Sequence, residues 1–204
     1  ASLLVATLPS GGAVLPFMPR LVEGVLLVLA LVWFINLTNF MDGIDGIAGV
    51  EAVTVGLAGA LLYALSGHVD AVLLPALIAA ASAGFLFWNF PPARIFMGDA
   101  GSGYLGLILG LLSLQAAWVE PRLFWAWLIL LGVFIVDATL TLGRRLLRGE
   151  KVYQAHRSHA YQVASRHYGR HLPVTLTTAA INMIWLLPIA CWVVLGGAAE
   201  VGLA

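Results

Sequence analysis

Long apolar runs separated by short polar segments set the plan of this chain. The runs fall at about 21–38, 50–67, 71–90, 102–119, 122–142 and 173–196. Each approaches the roughly 20 residues that an α-helix needs to cross the ~30 Å hydrocarbon core of a bilayer. Each is apolar all round, so periodicity does not assign lipid-facing and buried sides. The second run is short and rich in Gly and Ala, which makes it the weakest of the six. Pro91-Pro92 should end the third helix, because proline removes a backbone donor and restricts the residue before it. Pro173 and Pro188 bracket parts of the sixth, with Pro188 expected as a tolerated kink. The small residues of GLAGALLYALSG and ALIAAASAG suit close helix packing in a bilayer. No repeat of 20–50 residues and no low-complexity tract is visible. The pattern predicts an all-α, polytopic integral membrane protein with about six transmembrane helices.

Counting sides turns this pattern into a topology. The first helix ends at MDGIDG; the second leaves that side and the third returns with WNFPPARIFMGDAGSG. The fourth leaves, and the fifth returns with GRRLLRGEKVYQAHRSHAYQVASRHYGRH. The three polar segments therefore share one face. That face carries Arg94, Arg144, Arg145, Arg148, Lys151, Arg157, Arg166 and Arg170, against Arg20 and Arg122 on the other. Lys and Arg mark the cytoplasmic side, and this bias agrees with a parity derived without it. The run Arg144–Arg148 reads as a positive-inside anchor.

Composition sharpens the class. The chain has 204 residues, 61% hydrophobic and 10% charged, with a mean hydropathy of +0.98. Soluble domains carry roughly 25% charged residues, so a soluble globular protein is excluded. The net charge is zero and gives no argument for nucleic acid. The single cysteine, Cys191, rules out a disulfide framework or a cysteine metal site within this chain and reads as a packing residue. The start, ASLLVATLPSGG, has neither Met nor a basic n-region and does not resemble a signal peptide. It reads as the tail of a helix that begins upstream, so the chain is expected to be N-terminally truncated, with 1–18 as that tail.

Carboxylates at the ends of such apolar helices need compensation. Asp42 and Asp45 are three apart, which on a helix places them on one face, and Gly43, Gly46 and Gly49 let a backbone or phosphate approach. Asp99 sits in the glycine-rich segment before the fourth helix, where free N–H groups favour anions. His156-Arg157-Ser158-His159 lies among cations. Three acids and several cations on one face suggest a Mg²⁺-bound phosphate substrate, since Mg²⁺ is held by one or two carboxylates plus substrate phosphates and Arg and His⁺ neutralise the rest. A zinc site on the histidine pair is disfavoured, because no Cys or third His falls in register. His68 reads as a loop residue on the far side, and His167 and His171 as surface residues of the basic loop. Asp137, inside the fifth span, has two readings: an ion pair with Arg144 two turns along, or a role in the site.

NFMDGIDGIAG, FMGDAGSG and the HRSH loop, in this order, resemble the polyprenyl-phosphate N-acetylhexosamine-1-phosphate transferases, the glycosyltransferase family 4 type. The pattern Asn-x-x-Asp-Gly-x-Asp-Gly falls on Asn39, Asp42, Gly43, Asp45 and Gly46. Met-Gly-Asp-x-Gly-Ser falls on Met97, Gly98, Asp99, Gly101 and Ser102, and the histidine motif on His156 and His159. The resemblance runs from about residue 20 to the end and implies one membrane-embedded catalytic domain, with 144–172 as a cytoplasmic loop. It implies transfer of a sugar-1-phosphate from a UDP-sugar to polyprenyl (undecaprenyl) phosphate at the inner membrane's cytoplasmic face, releasing UMP. Mg²⁺ is the expected cofactor, with Mn²⁺ as the alternative ion. Asp99 and Asp42 are the expected metal ligands; Asp42 and Asp45 orient the diphosphate or nucleotide, or act as base. Asn39 holds the site by hydrogen bonds, and Gly43, Gly46, Gly98, Gly101, Ser102, His156, Arg157 and His159 bind substrate. The expected partners are the UDP-sugar, the lipid phosphate and the bilayer, with a homodimer as a possible assembly and no nucleic acid.

Two departures bear on this resemblance. It implies an Asp-Asp pair on an earlier loop, and the sequence holds none. HRSH in place of three consecutive histidines favours the branch that initiates O-antigen and related glycans, with N-acetylglucosamine or N-acetylfucosamine phosphate as cargo. Two rivals remain. CDP-alcohol phosphotransferases need an Ala-Arg pair shortly after Asp-Gly, which neither Asp42-Gly43 nor Asp45-Gly46 provides. A secondary transporter with an intramembrane aspartate ion site would place its acids near the midplane, often in repeated halves.

Overall fold

The computed structural model describes residues 19–151 and 156–196. The expected helix tail at 1–18 lies outside the described residues, as does part of the basic loop, 152–155. Among the described residues every regular element is helical. They are α1 (Arg20–Met41), α2 (Ile47–Leu65), α3 (Leu73–Asn89), α4 (Gly98–Val119), α5 (Pro121–Leu130), α6 (Gly132–Leu147), α7 (Ala160–Tyr168), α8 (Leu172–Ala180), a π-helical segment (Ile181–Leu186) and α9 (Leu187–Val194). Five stretches are long and apolar enough to cross a bilayer, and α5 with α6 makes a sixth that is bent by 69°. The chain is thus a polytopic, all-helical membrane protein.

The bend corrects the expectation of one straight fifth span. No proline causes it. Leu131 ends α5 with ψ near 7°, and Gly132 restarts the helix in a new direction. The bend carries Asp137 and the Arg144–Arg145 pair toward the end of the bundle that holds the polar loops. Proline acts as expected elsewhere. Helix α3 stops at Asn89, just before Pro91-Pro92. Pro188 lies in the first turn of α9, immediately after the π-helical turns that accommodate its missing donor.

Helix α2, the weakest of the six in sequence, is the centre of the bundle. Its span is 72% buried, whereas the span Val69–Asn89, which contains α3, is 11% buried. The small residues explain the position. A Cβ at Gly59 would press into the Trp127 ring at 2.5 Å, and one at Gly106 of α4 would overlap the Phe34 carbonyl of α1. In a bilayer the tails outside are as apolar as the core inside, so burial adds little transfer energy and close packing and polar ties hold the helices together. One such tie is fully buried. Asn182, on the π-helical segment, donates from Nδ2 to Glu51 Oε2 (2.7 Å) and to Thr54 Oγ1 (2.8 Å) of α2. Glu51 is an ionisable residue inside a span, a signal the sequence carries on its surface and the motif reading passed over.

Candidate active site

Three polar segments meet at one end of the bundle. The far end holds His68 and Arg122 beside Glu120, at 3.6 and 3.8 Å. At the near end, α1 terminates at Asp42, whose N–H still reaches the carbonyls of Thr38 and Asn39. The chain then reverses into α2 through Gly46, at φ +77°. That left-handed conformation is open to glycine at little cost. Asp42 and Asp45 therefore do not share a helical face, as their spacing suggested; both lie in the break between α1 and α2.

The second segment is stitched to this break. The buried Asn89 side chain, at the end of α3, accepts the Gly46 N–H at 3.0 Å and donates to the Ile95 carbonyl at 2.8 Å. The Ala93 N–H donates to Asp45 Oδ2 at 3.1 Å. Asp99 lies within the first turn of α4, not ahead of it. Asn39 Nδ2 donates both to Asp99 Oδ1 (3.1 Å) and to the hydroxyl of fully buried Ser102 (3.0 Å). The amide of α1 thus fixes the carboxylate of α4, next to the free N–H groups of that helix start.

Asp42, Asp45 and Asp99 line one cavity of about 310 Å³, together with the backbones of Gly43 and Gly98 and the ring of His171. Burial, with the nearby Asp99 charge second, raises the Asp42 carboxyl to about 7. Two oxygen donors that repel each other across a shared cavity suit a hard divalent cation. Among the described residues no cluster of three or more His, Cys, Asp or Glu is arranged to hold a metal. The oxygen donors that the cavity offers to such a cation are the carboxylates of Asp42, Asp45 and Asp99.

The third segment arrives differently from expectation. Asp137 of α6 accepts the N–H groups of Ala160 (2.9 Å) and Tyr161 (3.1 Å), and its Oδ1 lies 3.4 Å from His159 Nδ1. An aspartate from another helix thus caps α7. Of the two readings of Asp137, the ion pair with Arg144 gives way to this contact with His159 and the α7 amides. His159 is 2% exposed, stacked against Phe40, His156 and Tyr161. Burial, followed by the charges of Arg145 and His159, lowers the basicity of His156, whose Nδ1 lies 2.9 Å from the Ser158 hydroxyl. Neither His156, Arg157 nor His159 lines the carboxylate cavity. The motif reaches it indirectly. Tyr161 donates from its hydroxyl to the Phe40 carbonyl at 2.8 Å, and a Cβ at Gly43 would overlap that hydroxyl.

His171, assigned from sequence to the surface of the basic loop, is the histidine that does line the cavity. Its Nδ1 lies 3.2 Å from Asp45 Oδ1 and accepts the Asp45 N–H at 3.3 Å. Nothing local in RHYGRHLP signals this. Larger openings lie elsewhere. A groove of about 960 Å³ runs between α6, α7, α8 and the π-helical segment, with Asp137, Arg144 and His167 at its polar end and Val136, Leu140 and Ile181 in its apolar part. An almost wholly apolar groove of about 560 Å³ lies between α1, α5, α6 and the π-helical segment with α9.

The family description "Glycosyl transferase family 4" matches residues 3–117. The chain is also 40% identical, over 139 residues, to a Bacillus subtilis (strain 168) protein named "Probable undecaprenyl-phosphate N-acetylglucosaminyl 1-phosphate transferase". The match covers 65% of this chain and 38% of that relative, so it spans well under half of the curated protein's length.

Proposed function

The chain belongs to glycosyl transferase family 4, and on that premise we propose that it moves a sugar-1-phosphate, of the N-acetylhexosamine class, from a UDP-sugar to polyprenyl phosphate and releases UMP. The observation that carries the proposal is the single cavity in which Asp42, Asp45 and Asp99 meet glycine backbone at one end of the bundle. The undecaprenyl phosphate and N-acetylglucosamine named for the Bacillus relative make the same substrate classes the first to test here. The positive-inside bias of Arg94, Arg144, Arg148 and their neighbours supports a reading in which that end faces the cytoplasm at the inner membrane. A transporter reading finds no support in these aspartates, which sit at helix ends and not at the midplane.

In the reaction an oxygen of the lipid phosphate attacks the β-phosphorus of the UDP-sugar, and the bond to UMP breaks. The lipid phosphate has a second pKa near ~6 and is largely dianionic at neutral pH, so a strong base is not required. Positioning and charge neutralisation then dominate. Mg²⁺, or Mn²⁺ in its place, would be held by Asp99 and Asp42 and would neutralise charge on the diphosphate. Asn39 fixes the Asp99 carboxylate, and Asp45 fixes the loop at Ala93 and the His171 ring. With no cation bound, burial and the Asp99 charge raise the Asp42 carboxyl to about 7, and a cation held there would favour its ionised form. The groove beside α6 and α7 offers the prenyl chain an apolar bed with Arg144 and His167 at its polar end, and Tyr161 links this groove to the Gly43 side of the cavity.

The test is UMP release by the full-length protein across a panel of UDP-sugars, with undecaprenyl phosphate as acceptor. Asp99→Asn should insert and fold but release no UMP. Normal turnover by that variant would remove Asp99 from the site, and no release by the wild type with any UDP-sugar would end the proposal.

A further inference from the structure

We infer that His171 contacts a phosphoryl oxygen of a substrate in the carboxylate cavity, an inference that rests on the sugar-1-phosphate transfer proposed above. Among the described residues lining that cavity, three are carboxylates and His171 is the side chain able to carry positive charge. Of the cavity's other side-chain donors, Asn39 Nδ2 is committed to Asp99 and Ser102, and Asn89 Nδ2 donates to the Ile95 carbonyl. A polyanionic substrate entering among three acids needs donors from the protein as well as a cation.

The geometry of His171 supplies one. Its Nδ1 accepts the Asp45 N–H at 3.3 Å, which places the proton of the neutral ring on Nε2. When the ring is charged, Nδ1–H faces Asp45 Oδ1 at 3.2 Å and Nε2 remains a donor. Either way Asp45 holds the inner nitrogen and leaves Nε2–H for a ligand. The backbone is fixed too. The His171 carbonyl accepts the N–H groups of Val174 and Thr175 at the start of α8, and the Thr175 hydroxyl donates to the Asp45 carbonyl at 2.8 Å. The imidazole is therefore mounted on a helix start that is bonded to the first aspartate segment. His159, with its side chain buried against Asp137, has no comparable access.

Two variants separate substrate contact from a purely structural role. His171→Asn retains an acceptor for the Asp45 N–H but has no group at the Nε2 position. His171→Gln places an N–H near the Nε2 position but loses the inner acceptor. UMP release by the full-length protein is measured with varied UDP-N-acetylglucosamine and with varied undecaprenyl phosphate, alongside the thermal midpoint in detergent. Loss of a hydrogen bond to a charged group predicts a drop of about ten- to hundred-fold in kcat/KM for His171→Asn, with His171→Gln clearly more active. The substrate whose KM rises identifies which phosphate the ring meets, nucleotide or lipid. Activity of His171→Asn equal to or above that of His171→Gln, at any absolute level, overturns the inference and leaves His171 a structural partner of Asp45. Absence of UMP release from the wild type with any UDP-sugar of the panel would instead strike the transferase reading itself, and the inference with it.

Discussion

Replacing Asp137 by Ala should unfasten α7 from the bundle while leaving the spans in place. Helix α7 has nine residues, below the ~12–15 at which isolated helices become even marginal. Its first two amides, those of Ala160 and Tyr161, are satisfied by Asp137 at 2.9 and 3.1 Å, and the Thr141 hydroxyl donates to the same carboxylate at 3.1 Å. Hydrogen bonds to a charged acceptor contribute about 1.5–3 kcal/mol each. Ala160 is exposed, so water can replace Asp137 there. Tyr161 and His159 are buried, at 5% and 2% exposure, and their polar groups would lose a partner that water cannot easily supply. The local cost should be about 2–4 kcal/mol. A loss of about 2 kcal/mol corresponds to roughly 30-fold faster amide exchange. Hydrogen-exchange mass spectrometry of the protein in detergent reads this in peptides covering α7. Asp137→Asn keeps one neutral acceptor and should show a smaller increase. Unchanged exchange in α7 of the Ala variant, or an increase spread equally over α2 and α3, would refute the reasoning.

Gly43→Ala should break the contact between Tyr161 and the Phe40 carbonyl, since the new methyl overlaps the Tyr161 hydroxyl. A thermal-midpoint loss equivalent to about 1–3 kcal/mol is expected, and a neutral result would mean that Tyr161 moves freely. Glu51→Gln, which keeps an oxygen for Asn182 Nδ2, should be tolerated better than Asn182→Ala, which leaves Glu51 Oε2 without that donor. The same midpoint assay checks the order, with a difference of about 1–3 kcal/mol. Asp42 gives a pH test. Its folded value, about 7, lies above the ordinary 3.8, so the folded state holds the proton longer and stability from this group falls as pH rises between those values. In chelator-treated protein, Asp42→Asn should flatten that slope. A wild-type-to-variant difference that is the same near about pH 5 and near about pH 8 would contradict it.

Sequence alone decided the class and the rough plan of this protein. Span length, apolar content and Lys/Arg bias are local properties of a chain in a bilayer, so the six spans and the common face of the three polar segments could be read without coordinates. The aspartate and glycine motifs could be read for the same reason, because their spacing is short. The direction of the α5–α6 bend was hidden, since hydropathy along 122–142 does not record a change of axis. Asp42 and Asp45 were misplaced on a helix because α1 ends at Met41, and the turn into α2 at Gly46 is held by Asn89, 43 residues on. Packing also decided where the histidines lie: Asp137 drew His159 into the interior, and the start of α8 delivered His171 to Asp45 across 126 positions of sequence. Buried Glu51 was legible as an anomaly, but its partner Asn182 stands 131 positions away. Each of these outcomes depends on which polar group satisfies which other in a medium without water. Such pairing is settled between helices, where a linear pattern has no reach.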